Sequence, residues 1–186
     1  LGDVYKRQVF FPSYEYMEKC YSLFEYTTSI DILTQNRNMD NYERSNFLSS
    51  FKENPKKTTV GFIIMGGIFS EGIDLLSDRL IGAIIIGVCL PKISYENDLI
   101  KKHEGLEDSD VGFNYAYVYP GFNRVLQAAG RVIRSEKDKG VIVLVDSRFR
   151  TSKYKELYEN IWPDAIEVNS ASEAGEYTSQ FWEEKK

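Results

Sequence analysis

Apolar runs and amphipathic stretches alternate along the chain, the pattern of an α/β fold. VFFPS (9–13) predicts a strand that turns at Pro12, and YEYMEKCYSLFEYT predicts the helix that follows it. DILTQ (31–35) predicts a second strand. Asp40 and Glu43, three residues apart, predict a capping box that opens a helix running through Phe51. TTVGFIIM (58–65) and LIGAIIIGV (80–88) are continuously apolar, as expected of parallel strands covered on both faces. VIVLVD (141–146) predicts a last strand, and TSKYKELYENIW a helix after it. Ser170 and Glu173 predict a second capping box, on an amphipathic tail helix ending near Phe181 and Trp182. The first eight residues, LGDVYKRQ, carry no pattern and read as a leader of non-native origin.

One helix carries a polar stripe. In NRVLQAAGRVIR, positions 124, 127, 131 and 134 recur at i, i+3, i+7 and i+10, one face of a 3.6-residue helix. Val125, Leu126, Ala129, Val132 and Ile133 fill the opposite side. Such stripes are often only solvated. Two details argue for more here. Gly130 falls in the middle of the expected helix, where glycine costs about 1 kcal/mol against alanine, so close approach of a backbone or ligand is expected there. Arg131 and Arg134 present rigid, planar forks of donors that match oxyanions, phosphate above all.

Bulk properties narrow the class. The 186 residues make one ordinary domain with a real core, 42% hydrophobic and 27% charged. The greasiest run, LIGAIIIGVCL, is too short to span a bilayer and is flanked by Arg79 and Lys92, so no membrane role is expected. Cys20 and Cys89 lie far apart without CxxC spacing, which suggests neither a disulfide framework nor a metal site and fits a cytoplasmic protein. A net charge of −5 argues against gripping nucleic acid by bulk electrostatics.

A second constellation, GGIFSEGIDL (66–75), follows a buried strand. Ligands of open α/β sheets sit beyond the carboxyl ends of the strands, so its position suits a site. Its glycines permit tight turns, and Ser70, Glu71 and Asp74 supply a hydroxyl and two carboxylates. A glycine-rich turn with a helix cap would look the same. No GK[ST] follows these or any other glycines, so the chain has no Walker A cradle and is not a self-sufficient ATPase.

Together, GGIFSEGIDL and QAAGRVIR resemble motifs V and VI of the last RecA-like domain of a superfamily 2 helicase. VFFPSYEYM resembles motif IV of the DinG/XPD-like branch, and DSRF (146–149) its D-x-R-F. The resemblance covers residues 9 to 168, with 169–186 as a tail helix that also resembles the family's C-terminus. It implies a RecA-like three-layer sandwich with a mostly parallel central sheet. It further implies an ATP site shared with an N-terminal RecA-like domain, which carries the Walker A lysine, most of the Mg²⁺ site and, in this branch, an iron–sulfur domain; this chain holds none of these. By motif position, Arg134 is the arginine finger for the γ-phosphate. Arg131 serves a phosphate or the interdomain charge network, and Gln127 places the attacking water or links the domains. Glu71, Gly72, Asp74 and Gly130 fall to the nucleotide, and Ser13, Tyr14 and Ser70 to single-stranded DNA. The resemblance implies that the piece alone is an inactive monomer. The alternatives are a non-enzymatic RecA-like module that binds nucleic acid or a partner, and a domain of a DEAD-box RNA helicase. The stripe speaks against the first; FSEGIDL and D-x-R-F speak against the second.

Overall fold

The computed structural model describes residues 6–24, 30–50, 58–67, 69, 80–105, 108–133 and 138–184. They form two compact units, divided between Leu144 and Val145.

The first unit is built on a five-stranded parallel sheet in the order β2-β3-β1-β4-β5. The strands are β1 (Lys6–Phe11), β2 (Asp31–Thr34), β3 (Thr59–Ile64), β4 (Leu80–Ile86) and β5 (Val141–Val145). Central β1 pairs with both β3 and β4, Val9 standing opposite Phe62 and Ile84. A strand enclosed on both sides has to be apolar on both faces. Val9 and Phe11 pack with Phe62 and Ile64 against Met17, Cys20 and Tyr21 of α1 (Tyr14–Phe24). Phe10, Ile63, Ala83 and Ile85, which alternate with them, are buried as well. Both faces are therefore covered, as the apolar runs predicted. β1 begins at Lys6, so Lys6, Arg7 and the fully buried Gln8 belong to the sheet although they fall in the stretch expected to carry no pattern.

α2 (Asn41–Ser49) opens on the expected capping box: Asp40 accepts from the Glu43 N–H at 2.8 Å, and Glu43 accepts from the Asp40 N–H at 2.9 Å. The sequence pattern assigns no element between 89 and the polar stripe. The structure forms α3 (Tyr95–Glu104), capped by Ser94, then α4 (Ser109–Phe113), a π-helical turn (Asn114–Val118) and α5 (Tyr119–Ala129). The last three are one continuous helix, helical φ and ψ being kept at both joints. Pro120 explains the π turn. Its ring would strike the carbonyl four residues back and it has no N–H to give. The widened turn, in which the Tyr119 N–H reaches Asn114 O, relieves that conflict.

Gly121 is the residue that brings α5 down onto the sheet. A Cβ there would lie 2.7 Å from Val88 O and 3.1 Å from Cys89 O, so only glycine permits this approach. Gly130, expected mid-helix with something packed on it, is instead the C-cap of α5, exposed and facing only carbonyls of its own helix. Close packing belongs one helix-length earlier.

The second unit holds a 3-10 turn (Ser147–Arg150), α6 (Ser152–Tyr158) and α7 (Ala171–Glu184). α7 opens on Ser170, whose Oγ accepts from the Glu173 N–H at 3.1 Å. The return bond of the expected box is displaced by one residue, Glu173 accepting from the Asn169 N–H at 2.7 Å. The boundary expected at 169 falls inside this unit.

Candidate functional site

The carboxyl ends of the strands gather the polar chemistry. Ser13 and Tyr14 follow β1, Gln35 to Arg37 follow β2, Gly66 and Gly67 follow β3, and Cys89 follows β4. Ser13 caps α1, its Oγ accepting from the Tyr16 N–H at 3.2 Å. Tyr14 is held from two sides. Gln35 Nε2 donates to its hydroxyl at 2.9 Å, and that hydroxyl donates to Asn36 O at 3.3 Å. The Arg37 guanidinium stacks over the ring at 5.0 Å. Gln35 is itself buried, and its Oε1 accepts the Ile64 N–H at 2.9 Å, at the last position of β3. Two of the three residues expected to meet DNA, Ser13 and Tyr14, thus stand at the end of the sheet. Gln35 and Arg37, which hold Tyr14, were missed, and nothing in the sequence separates Gln35 from the strand residues before it.

The β3 turn meets α5. Gly66 adopts φ +72°, which favours glycine, and a Cβ there would lie 3.2 Å from Arg124 Nε and 3.4 Å from its Cζ. The Arg124 guanidinium also stands beside the thiol of Cys89, a buried residue with φ +51°. Burial pushes that thiol's pKa up, and the guanidinium pulls it back toward ionisation. Arg124 stands first in the polar stripe, so its spacing was legible, but its contacts were not.

The stripe does not run along a single helix. α5 ends at Ala129, and Arg131 lies on the turn that follows, its N–H bonded to Ala128 O at 3.3 Å. Val125, Ala129 and Val132 are buried as expected, whereas Ile133 is exposed. Gln127 is exposed and Arg131 half-buried. α5 descends from the carboxyl edge, where Gly121 touches Val88, toward the opposite edge, where Val132 abuts Gly140 beside Ile81. At 1.5 Å per residue, Gln127 sits about 4.5 Å further down than Arg124, and Arg131 lies past the end of the helix. The two therefore line the flank of the domain rather than the strand ends. Arg134, Ser70, Glu71, Gly72 and Asp74 lie outside the described residues.

In the second unit, Asp146 and Arg148 of D-x-R-F are spent on each other. Asp146 accepts from Arg148 N–H and Nε at 2.9 Å each and from its terminal nitrogen at 2.7 Å. Those bonds hold the Asp146 carboxyl below its ordinary pKa. Phe149 is buried edge-on against Tyr154. Among the described residues no cluster of metal-ligating side chains occurs, and no helix is long and apolar enough to cross a membrane.

The family model described as the helicase C-terminal domain matches residues 5–165. ATP-dependent DNA helicase CHL1 of Scheffersomyces stipitis is 29% identical over 168 residues, covering 78% of this chain and 20% of the relative. The protein named 3'-5' exonuclease DinG in Staphylococcus saprophyticus is 31% identical over 156 residues, covering 81% of this chain and 16% of the relative. The chain therefore spans about a fifth or less of the length of these two relatives. Among solved structures, apo XPD superposes with a TM-score of 0.64 at 21% identity, over 82% of this chain and 30% of that one, a likeness of fold.

Proposed function

From a chain that belongs to the helicase C-terminal domain family, of the DinG/XPD-like kind, we propose the second motor domain of an ATP-dependent DNA helicase. In this reading the domain completes an ATP site whose phosphate cradle and Mg²⁺ ligands lie on an N-terminal RecA-like domain. The iron–sulfur centre of the branch belongs to that partner as well. The two relatives' printed activities differ, helicase and exonuclease, so what they share with this chain is the domain itself.

The observation that carries the reading is the placement of Gln127 and Arg131 one below the other on the flank of α5 and its closing turn. A neutral amide and a guanidinium fit an anionic ligand brought by a facing domain; they would not fit a cation. ATP supplies the γ-phosphoryl group, whose transfer spreads negative charge over its equatorial oxygens. Arg134 and Arg131 would hold that charge with donors already in place, and Gln127 would orient the water or brace the interface. Glu71, Gly72, Asp74 and Gly130 would line the nucleotide, and Ser13, Tyr14 and Ser70 a single DNA strand across the strand ends. The two free cysteines suit a reducing cytoplasm.

The deciding experiment uses the complete two-domain helicase. Arg134→Ala is expected to cut ATP turnover by ~10³ or more with DNA binding largely kept. Arg134→Lys recovers little, because a point charge does not reproduce the planar fork. Near-normal turnover in both variants would sink the reading. The 186-residue chain by itself is expected to hydrolyse no ATP above background, which a coupled phosphate-release assay measures.

A further inference from the structure

β3 and β4 flank β1, so a side chain that touches the exits of both spans the end of the central strand. Arg124 does this. Its guanidinium lies against Gly66 at the exit of β3 and stands beside the thiol of Cys89 at the exit of β4. Both contacts are to residues in the left-handed backbone region, which fixes the direction in which each strand leaves the sheet. A third tie fastens the β3 exit to β1 itself, the Met65 N–H bonding Phe11 O at 2.9 Å. The helix end of this link is equally rigid. Gly121, three residues before Arg124, seats α5 on Val88 O and Cys89 O, and Gln127 follows three residues after on the same face.

We propose that Arg124 is a positioning residue that locks the turn after β3 to the helix bearing Gln127, so that occupancy of the strand ends by DNA and occupancy of the α5 flank by nucleotide act on each other. This rests on the reading of the site given above. A solvated charge would not account for the arrangement. A surface arginine gains nothing by lying over a glycine, and any larger side chain at Gly66 would have to push the guanidinium away. The link is also placed for the task, with Ser13 and Tyr14 leaving the same edge and Gln127 about one turn below.

Two measurements test this. In the complete helicase, ATP turnover is measured with and without single-stranded DNA. Arg124→Gln is expected to lower DNA-stimulated turnover about tenfold, while unstimulated turnover and the KM for ATP move by less than about threefold. In the 186-residue chain, hydrogen exchange of the Gly67 amide, which donates to Ile64 O, is expected to quicken about tenfold in the same variant, with the Val125 amide unchanged. Both effects are required. Unchanged stimulation, an equal fall with and without DNA, or unaltered exchange at Gly67 overturns the proposal. Gln127→Ala separates the two levels. If it leaves turnover intact, the reading of the site itself fails; if it abolishes turnover while Arg124→Gln has no effect, only the positioning role falls.

Discussion

Two buried glutamines sit in the same sheet and do opposite things. Gln35, just past β2, is 1% exposed and uses both ends of its amide, accepting the Ile64 N–H and donating to Tyr14. Gln8, in the middle of β1, is 0% exposed, and among the described residues neither its Nε2 nor its Oε1 has a hydrogen-bond partner. In register it stands between Gly61 and Ala83, two residues with almost nothing to offer it. Burial of a polar group costs free energy unless its bonds are replaced, so the first amide is an anchor and the second a net expense. The anchor lies at the carboxyl edge, where the functional residues gather. The expense lies half a strand away from them. Polar residues in a core therefore mark a site only when their bonds lead to one.

That contrast can be broken by substitution. Gln35→Leu is expected to have the largest effect, because it strands the Ile64 N–H and removes the amide that donates to the Tyr14 hydroxyl. A loss of about 2 kcal/mol is expected, which for a chain of this size lowers Tm by roughly 4–8 °C in calorimetry. A shift too small to detect would show that the anchor is dispensable. Gln8→Met keeps the length of the side chain and removes the unpaired amide, so stability should rise by about 1 kcal/mol in urea unfolding. A fall of similar size would mean that the Gln8 amide is bonded in solution and that the two glutamines are alike. Tyr14→Phe is the mildest change, costing about 1 kcal/mol or less, since the ring and its Arg37 stack remain. Made on top of Gln35→Leu, it should cost less than it does alone, because only the exposed bond to Asn36 O is left to lose. Full additivity in that double-mutant cycle would refute the coupling between them.

Local signals in the sequence held wherever a short stretch decides the outcome alone. The Asp40–Glu43 box formed as read, because its two bonds close within four residues. Continuous apolar runs gave β3 and β4, since burial on both faces leaves no other pattern. The Ser170–Glu173 box was half right, with Asn169 taking the return bond. The stretch from 89 to 118 resisted reading for a physical reason. α3 buries none of its residues, so it shows no apolar stripe. The helix after it breaks phase at a π turn, and a constant period of 3.6 cannot follow that. Gly130 misled because a glycine inside a helical pattern and a glycine that ends the helix look the same until the end is located.

For the site, the sequence by itself determined which residues are available and how they are spaced. Four short motifs, each with its own turn chemistry, identify the family, and the i, i+3 spacing puts Arg124 and Gln127 on one side of α5, with Arg131 on the turn that closes it. Those are local properties, set by residue type and backbone geometry over ten or so positions. What the side chains touch was decided only by the tertiary structure. Gly66 and Arg124 are separated by more than fifty residues, Gln35 and Ile64 by 29, and no period relates them. Gln35 and Ile64 meet because β2 pairs with β3, and Gly66 and Arg124 because Gly121 lets α5 come down onto the carboxyl end of the sheet. Contacts of that kind depend on how distant segments pack, which a single chain read residue by residue does not specify.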